Sequence, residues 1–386
     1  MADLPSLEPS LTIGAIYESY EKRAEQAPRR GHLGGSAIGR PCSREQWYSF
    51  RWAGRPRFDG RMLRLFDTGQ REEERFIREL RRIGCEVLDR AEDGKQWRYT
   101  AHGGHFSGSL DGVALGVLEA PKTWHLLEFK TSNVKAFKRL KSEGVQRAKR
   151  EHFVQMQVYM GLAGLTRALY LVVCKDTDML YAERVPFERE EYERALEKAR
   201  QIIEAAEPPT RISADPDFYV CSWCDYKALC HDLHDCEREG ICDKAHVADV
   251  SCRTCAHSTP VVDDSDAARW ECGKTGASLT MREQQVACDE HLFIPALVPY
   301  ATPIDAGDGH VLYQIGTKGR KFANVGASGF PASDVPHYSS RELAAIPPAA
   351  IGDAVVEAAR ETLGVKVIER ELEEGASLWG PGGNPF

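Results

Sequence analysis

The run at 124–132, WHLLEFKTS, constrains this chain more than any other stretch. Side chains of an extended strand alternate between faces, so Glu128 and Lys130 project together while Leu127 and Phe129 point the other way. Charges within an otherwise apolar run are not expected without a task. Just upstream, Asp111 sits in SLDGV within a strand-like run, 106–115. A hairpin between 106–115 and 124–131 brings Asp111 beside Glu128.

The surrounding sequence frames these strands with helices. Residues 11–28 carry Ile13, Ile16, Tyr17 and Tyr20 at helical spacing. Ser43 is placed to cap a helix through Ala53, with Gln46 at the capping-box position. A long helix is expected over 59–83, ended by Gly84. Strand-like runs follow at 85–90, 96–101, 106–115 and 124–131, then helical segments at 134–141 and 145–163. RALYLVVCK reads as a buried strand, MLYAERVPF as its hairpin partner and 188–206 as a polar helix. That order implies an α/β sandwich around a mixed central sheet. Beyond 240 the texture turns to Cys, His and short turns. A hairpin, HVLYQIGTKGRKFANVG, a helix near 350–363 and a Gly/Pro-rich tail follow.

No apolar run reaches the roughly 18–20 residues needed to cross a bilayer. The start also lacks the basic and apolar segments of a secretory signal. A cytoplasmic location with no membrane partner is the expectation. The net charge of −8 argues against a nucleic-acid partner only if charge is evenly spread. It is not: residues 29–64 hold nine Arg against Glu45 and Asp59, and 133–152 hold seven Lys/Arg against Glu143 and Glu151. Each stretch is either a solvated face or a surface that tracks phosphates.

Two carboxylates converging on one point suit a hard cation such as Mg²⁺ or Mn²⁺. Such an ion lowers the pKa of a bound water and neutralises charge building on a phosphate. A lysine beside it orients or helps deprotonate that water. Alone, a Glu-x-Lys pair is as readily a surface salt bridge. Here it has company: Gly69-x-x-x-Glu73 on the helix upstream, and Gln155-Met-Gln-Val-Tyr159 downstream, where Gln155 and Tyr159 share a helix face.

In this order the motifs resemble those of the PD-(D/E)XK nuclease superfamily, specifically its RecB-like branch, over residues 60–160. The resemblance implies a restriction-endonuclease-like core in which a mixed sheet is flanked by helices. Asp111 and Glu128 would hold metal and Glu73 would assist, with neighbouring Glu74 as the alternative. Lys130 would act on water and phosphate, and Gln155 and Tyr159 would orient substrate or the lysine. Glu73 stands where many relatives carry a metal-binding histidine and phage recombination exonucleases a glutamate.

The 12 cysteines are the second signal, and all but Cys42, Cys85 and Cys174 fall between 221 and 288. A reducing cytosol makes clustered thiols metal ligands more often than disulfides. Cys221-x2-Cys224-x5-Cys230 supplies three ligands of a tetrahedral or cubane site, and Cys42 or Cys236 the fourth. Iron–sulfur members of the superfamily, such as CRISPR-associated adaptation nucleases and AddB-type subunits, carry one cysteine before the nuclease motifs and Cys-x2-Cys-x5-Cys after them. That resemblance implies Cys42 and a [4Fe–4S] cluster, with zinc at the same thiols as the alternative. Closing a loop of roughly 180 residues would remove several kcal/mol of unfolded-chain entropy. Cys252-x2-Cys255-x16-Cys272-x15-Cys288 suits tetrahedral zinc. His257, His291 or Cys242 could replace one ligand, or a second iron–sulfur centre could take the place of zinc. Cys85 and Cys174 read as core, and Trp47 and Trp223 are placed to shield a cluster from water.

The expected organisation is an N-terminal helical segment (1–29), a nuclease core with an iron–sulfur staple (30–235), a Cys-rich zinc-type module (240–300) and a small α/β C-terminal region (301–386). The resemblance implies a Mg-dependent DNA exonuclease that trims or resects single-stranded or end-bearing duplex DNA in phage or mobile-element recombination or repair. A recombination or annealing protein is an expected partner, and oligomerisation is left open. The competing expectation is a catalytically silent DNA-binding accessory protein with structural metal sites.

Overall fold

A computed structural model describes residues 10–232, 247–317, 319–329, 335–354 and 356–358. Cys236 and Cys242 lie outside these residues, as do the end of the helix expected near 350–363 and the Gly/Pro-rich tail.

Helix α1 (Leu11–Gln26) begins at Ser10, whose hydroxyl accepts the Ile13 N–H at 3.4 Å. Its expected apolar face stays largely in solvent, with Ile13 and Ile16 exposed. Helix α2 (Ser43–Phe50) is capped by Cys42, not by Ser43 as expected: the Cys42 Sγ accepts the Glu45 N–H at 3.4 Å. Gln46 forms no capping box and donates instead to the carbonyls of Arg40 and Cys42. The helix stops short of Ala53 because the chain turns through Trp52 at φ 55°. Helix α3 (Gly60–Arg82) is capped by Asp59, which accepts the Met62 N–H at 2.6 Å, and Gly84 follows it at φ 96°. A Cβ on Gly60 would sit 2.3 Å from the Tyr17 carbonyl oxygen, so glycine there lets α1 cross α3 closely.

Strands β1 (Leu33–Gly34), β2 (Glu86–Leu88), β3 (Arg98–Ala101), β4 (Phe106–Ser109), β5 (Gly112–Leu115), β6 (His125–Ser132), β7 (Arg167–Cys174) and β8 (Leu180–Pro186) form two sheets. The larger has the order β2-β5-β6-β7-β8, with β6 and β7 parallel and the other neighbours antiparallel. A parallel step needs a crossover, supplied here by α4 (Val134–Ala148) and α5 (Arg150–Ala163). The smaller sheet has the order β1-β4-β3. The stretch 106–115, expected as one strand, is therefore two strands in different sheets. The chain changes sheet at Leu110 and Asp111, and Gly112 turns it at φ 148°, a conformation that favours glycine. The chain leaves helical geometry at Gly144 (φ 73°, ψ 169°), between the two expected helical segments, and breaks again at Lys149 before α5.

Both faces of the large sheet are covered. Leu127 and Phe129 pack with Phe76 and Leu80 of α3 and with Val87, and the Phe76 and Phe129 rings stack at 5.1 Å. Burying a phenylalanine such as Phe129 stabilises by about 1.5–3 kcal/mol. On the other face Leu126, Ala168 and Tyr170 pack with Phe153, Met156 and Tyr159 of α5 and with Ala199 and Ile202 of α6 (Arg189–Glu204). This is the expected mixed sheet between helices, a restriction-endonuclease-like core.

Further along, β9 (Ser258–Val261), β10 (Arg269–Cys272) and β11 (Ser278–Leu279) form an antiparallel meander. Strands β12 (Thr302–Gly307), β13 (His310–Gln314), β14 (Lys321–Val325) and β15 (His337–Tyr338) make a four-stranded sheet, and β13–β14 is the expected hairpin. Trp270 of β10 is buried against Phe50 of α2 at 5.3 Å, and both belong to one continuous apolar core. No helix among the described residues is long and apolar enough to cross a membrane.

Candidate active site

The change of sheet at residue 111 builds the site. Asp111 immediately precedes β5, whose register sets Gly112 opposite Leu127. Its carboxylate therefore reaches β6, where Asp111 Oδ2 accepts the Phe129 N–H at 2.8 Å. Glu128 is 1% exposed, and Lys130, two residues along on the same face, ion-pairs with its Oε1. From α5, Gln155 Nε2 donates to Glu128 Oε2 at 3.0 Å, and Tyr159 one turn on is hydrogen-bonded to Gln155. The Tyr159 ring is seated between Gly35 and Gly108, where a Cβ would lie 2.7 and 2.3 Å from it. From α3, Glu73 comes within electrostatic reach of Asp111 and Lys130, whereas Glu74 is exposed. The helix thus presents Glu73 to the cluster.

Burial dominates the electrostatics. It pushes Glu128 up to about 7 against the pull of Lys130, with Asp111 adding to the rise. It also pushes Glu73 up to about 7, with Asp111 adding to that rise. Asp111 is raised by burial, opposed by Lys130 and the Phe129 N–H. Burial acts to lower Lys130, but Glu128 and Asp111 outweigh it and hold the ammonium above the ordinary lysine value. Three acids around one lysine leave negative charge for a cation to balance. Glu128 Oε1 is buried and engaged by the Lys130 ammonium alone, so a bound cation would share that oxygen with the lysine. The donor set fits Mg²⁺ or Mn²⁺. Among the described residues no three His, Cys, Asp or Glu side chains already stand at coordinating distance from one point.

A cleft of about 450 Å³ opens over the cluster, lined by Glu73, Lys130, Asn133, Lys149, His152 and Lys175 among others. Asp111, Glu128, Gln155 and Tyr159 are not among its lining residues. His152 and Lys175 were missed by sequence reasoning. His152 Nδ1 shares a 2.7 Å hydrogen bond with Tyr170 Oη, and burial, aided by Lys130 and Lys149, pushes its pKa down to about 3, leaving the imidazole neutral. Its position three residues before Gln155 on one helix was the available signal. Lys175 follows the strand pair in which Ser132 faces Cys174, and no local motif marks it.

The two basic stretches differ. Lys149 of the second faces the cleft. In the first, Arg44 donates to the carbonyls of Pro208 and Pro209, Arg51 to those of Ala205, Arg253 and Ser258, and Arg55 to those of Ala24, Glu25 and Ala27. The expectation that 29–64 tracks phosphates is corrected for these three, whose guanidinium groups bond to the chain itself.

Cys42 at the cap of α2, Cys221 and Cys224 in a 3-10 turn, and Cys230 in the short helix α7 (Lys227–His231) line one small cavity. Burial pushes the Cys224 thiol up to about 12 and raises Cys221 too, and the neighbouring cysteines add to both. A cation among these sulfurs would reverse that. Trp47 is buried nearby, but Trp223 is 91% exposed, so its expected shielding role is corrected: the turn directs its ring to solvent. Cys85 and Cys174 are buried core residues, as expected. Cys252, Cys255, Cys272 and Cys288 line a second cavity.

A family model of the PD-(D/E)XK nuclease superfamily matches residues 16–231, more than half of the chain. The chain belongs to that superfamily. Comparison with curated protein sequences gives no match. Among solved structures, the chain is similar to SSO0001, with 14% identity, a TM-score of 0.35 and coverage of 57% of this chain and 96% of that one. It is also similar to the alkaline exonuclease LHK-Exo from Laribacter hongkongensis, at 16% identity and a TM-score of 0.32 over 48% of this chain and 90% of that one. LHK-Exo in complex with dAMP gives 15% identity and a TM-score of 0.33, covering 49% of this chain and 90% of that one.

Proposed function

We propose that this chain is a metal-dependent DNA nuclease acting from DNA ends, with its chemistry at Asp111, Glu128 and Lys130. The observation that carries this reading is the buried carboxyl cluster: Glu128 is fixed at Oε2 by Gln155 and faces Lys130 at Oε1, with Asp111 held alongside on the Phe129 N–H. Asp111 and Glu128, assisted by Glu73, would hold Mg²⁺ or Mn²⁺, which when bound supplies a water of lowered pKa. Lys130 keeps its proton and offers it towards the cleft, where it orients the attacking water and offsets charge on the scissile phosphate. Gln155 prevents the Glu128 carboxylate from rotating, and Tyr159 supports Gln155. Lys149 and Lys175 take flanking phosphates, which makes binding salt-sensitive.

The iron–sulfur resemblance favours end resection or trimming of single-stranded or end-bearing duplex DNA, in phage or mobile-element recombination or repair. A recombination or annealing protein is the expected partner, and self-association is compatible with the role. Cys42, Cys221, Cys224 and Cys230 would hold a [4Fe–4S] cluster that ties residues near 42 to those near 230. The set is supported by all four cysteines lining one cavity. We read 30–235 as the nuclease core, 1–29 as a helical segment preceding it, 240–300 as a zinc module and 301–386 as a C-terminal region.

The test uses end-labelled single- and double-stranded DNA with Mg²⁺ or Mn²⁺. Wild type should shorten the label and Lys130→Ala should lose at least about 100-fold in rate. Equal rates would remove Lys130 from the chemistry. Iron and sulfide analysis of anaerobically purified protein, beside Cys224→Ala, tests the cluster. A colourless wild type without iron would reject it.

A further inference from the structure

Two arginines are buried in the core without a carboxylate partner among the described residues. Arg253 is 0% exposed; it donates to the Gly31 carbonyl at 2.9 Å, the Phe50 carbonyl at 3.1 Å and Gln284 Oε1 at 2.9 Å, and lies over the rings of Trp52 and Trp270. Arg51 is 2% exposed and donates to the Ser258 carbonyl at 2.9 Å, and its Nε is buried with no partner. Two like charges in an apolar core are costly unless a counter-charge lies close. A negative charge available to Arg51 is sulfur. Arg51 is within electrostatic reach of Cys255 and donates to the Arg253 and Ser258 carbonyls, which flank that cysteine in the chain.

We propose that Cys252, Cys255, Cys272 and Cys288 bind one Zn²⁺ as four thiolates, and that this doubly negative centre is the counter-charge of Arg51. Three separate segments bring the sulfurs to one cavity: the Cys252–Thr254 turn, the end of β10, and the loop holding Cys288. Backbone amides are already aimed at them. Cys255 accepts from the N–H groups of His257 and Leu292, Cys272 from those of Lys274 and Thr275, and Cys252 from that of Cys288. Such donors suit a thiolate and orient a metal ligand. His257 and His291 also line the cavity, and although His291 Nε2 lies 2.9 Å from the Ser251 carbonyl oxygen, four sulfurs already complete a tetrahedral set. Binding sends the thiol protons to solvent and changes no oxidation state. Arg253, next to Cys252 in the chain, fastens this segment to α2 through the Phe50 carbonyl. The zinc centre shares no residue with the carboxyl cluster, so either proposal can fail alone.

The full-length protein is purified and its metals measured by mass spectrometry. One equivalent of zinc is expected, retained in Cys224→Ala and lost in Cys255→Ser and Cys272→Ser. Should those variants not fold, wild type reloaded with Co²⁺ decides: thiolate-to-cobalt charge transfer with intense tetrahedral bands is expected. Removing zinc should shift tryptophan emission as Arg51 moves from the Trp270 ring, and lower Tm less in Arg51→Met than in wild type. Zinc-free wild type, zinc retained by Cys255→Ser, iron and sulfide at this set, or a cobalt spectrum without thiolate bands would each overturn the proposal.

Discussion

Gln155 of α5 donates to Glu128 Oε2 across 3.0 Å, which leaves Glu128 Oε1 as the oxygen facing Lys130. One hydrogen bond therefore decides which lone pairs of a buried carboxylate face the reacting groups. Partners that orient metal ligands are typically worth 10–100-fold in affinity or activity. Gln155→Ala should lower kcat by about that factor and raise the Mg²⁺ concentration giving half-maximal rate, with circular dichroism unchanged. Rate measured against Mg²⁺ concentration checks both.

Metal binding should depend on pH with a defined sign. Glu73 and Glu128 stand at about 7 in the metal-free protein, so below that pH an ion must displace their protons. Affinity for Mg²⁺ should fall about tenfold per pH unit for each proton displaced below pH 7, and level off above it. Both groups lie above their unfolded value of 4.5. Their contribution to metal-free stability is therefore full below that value and is lost as pH rises through about 7. The gain in Tm from saturating Mg²⁺ should accordingly be larger at high than at low pH, and Glu128→Gln should flatten the difference. Calorimetric titrations on either side of pH 7 measure this.

Tyr159 offers a steric prediction. A Cβ at Gly108 would lie 2.3 Å from its hydroxyl and ring, so Gly108→Ala must displace the ring or the strand. A loss of about 1–3 kcal/mol is expected, with activity falling as Gln155 loses its support. Gly69 on α3 is the control: nothing lies within 4 Å of its would-be Cβ, and Gly69→Ala should stabilise by about 0.5–1 kcal/mol. Denaturant unfolding of the two variants separates the cases.

Much of the site was legible because strand and helix periodicity places side chains without knowledge of the fold. Glu128 with Lys130, and Gln155 with Tyr159, follow from periods of two and about four. The resemblance favoured Glu73 over Glu74, but helix periodicity alone does not decide between adjacent residues, because that depends on how α3 rotates against Phe129. The break at Asp111 was hidden for a related reason. An alternating run looks the same whether it stays in one sheet or passes to another, and only the pairing of β4 with β1 and β3 reveals it. Arg44, Arg51 and Arg55 read as a surface because charge density carries no information about distant carbonyls. Their partners lie up to 207 positions away.

The most direct test of the account compares linear and circular duplexes of one sequence, uniformly labelled, in Mg²⁺ with wild type and Asp111→Asn. Wild type should release short products from the linear DNA in a metal-dependent way and leave the circle intact, and Asp111→Asn should lose cleavage. Wild type that cuts neither substrate, or Asp111→Asn that cuts as fast as wild type, would contradict it.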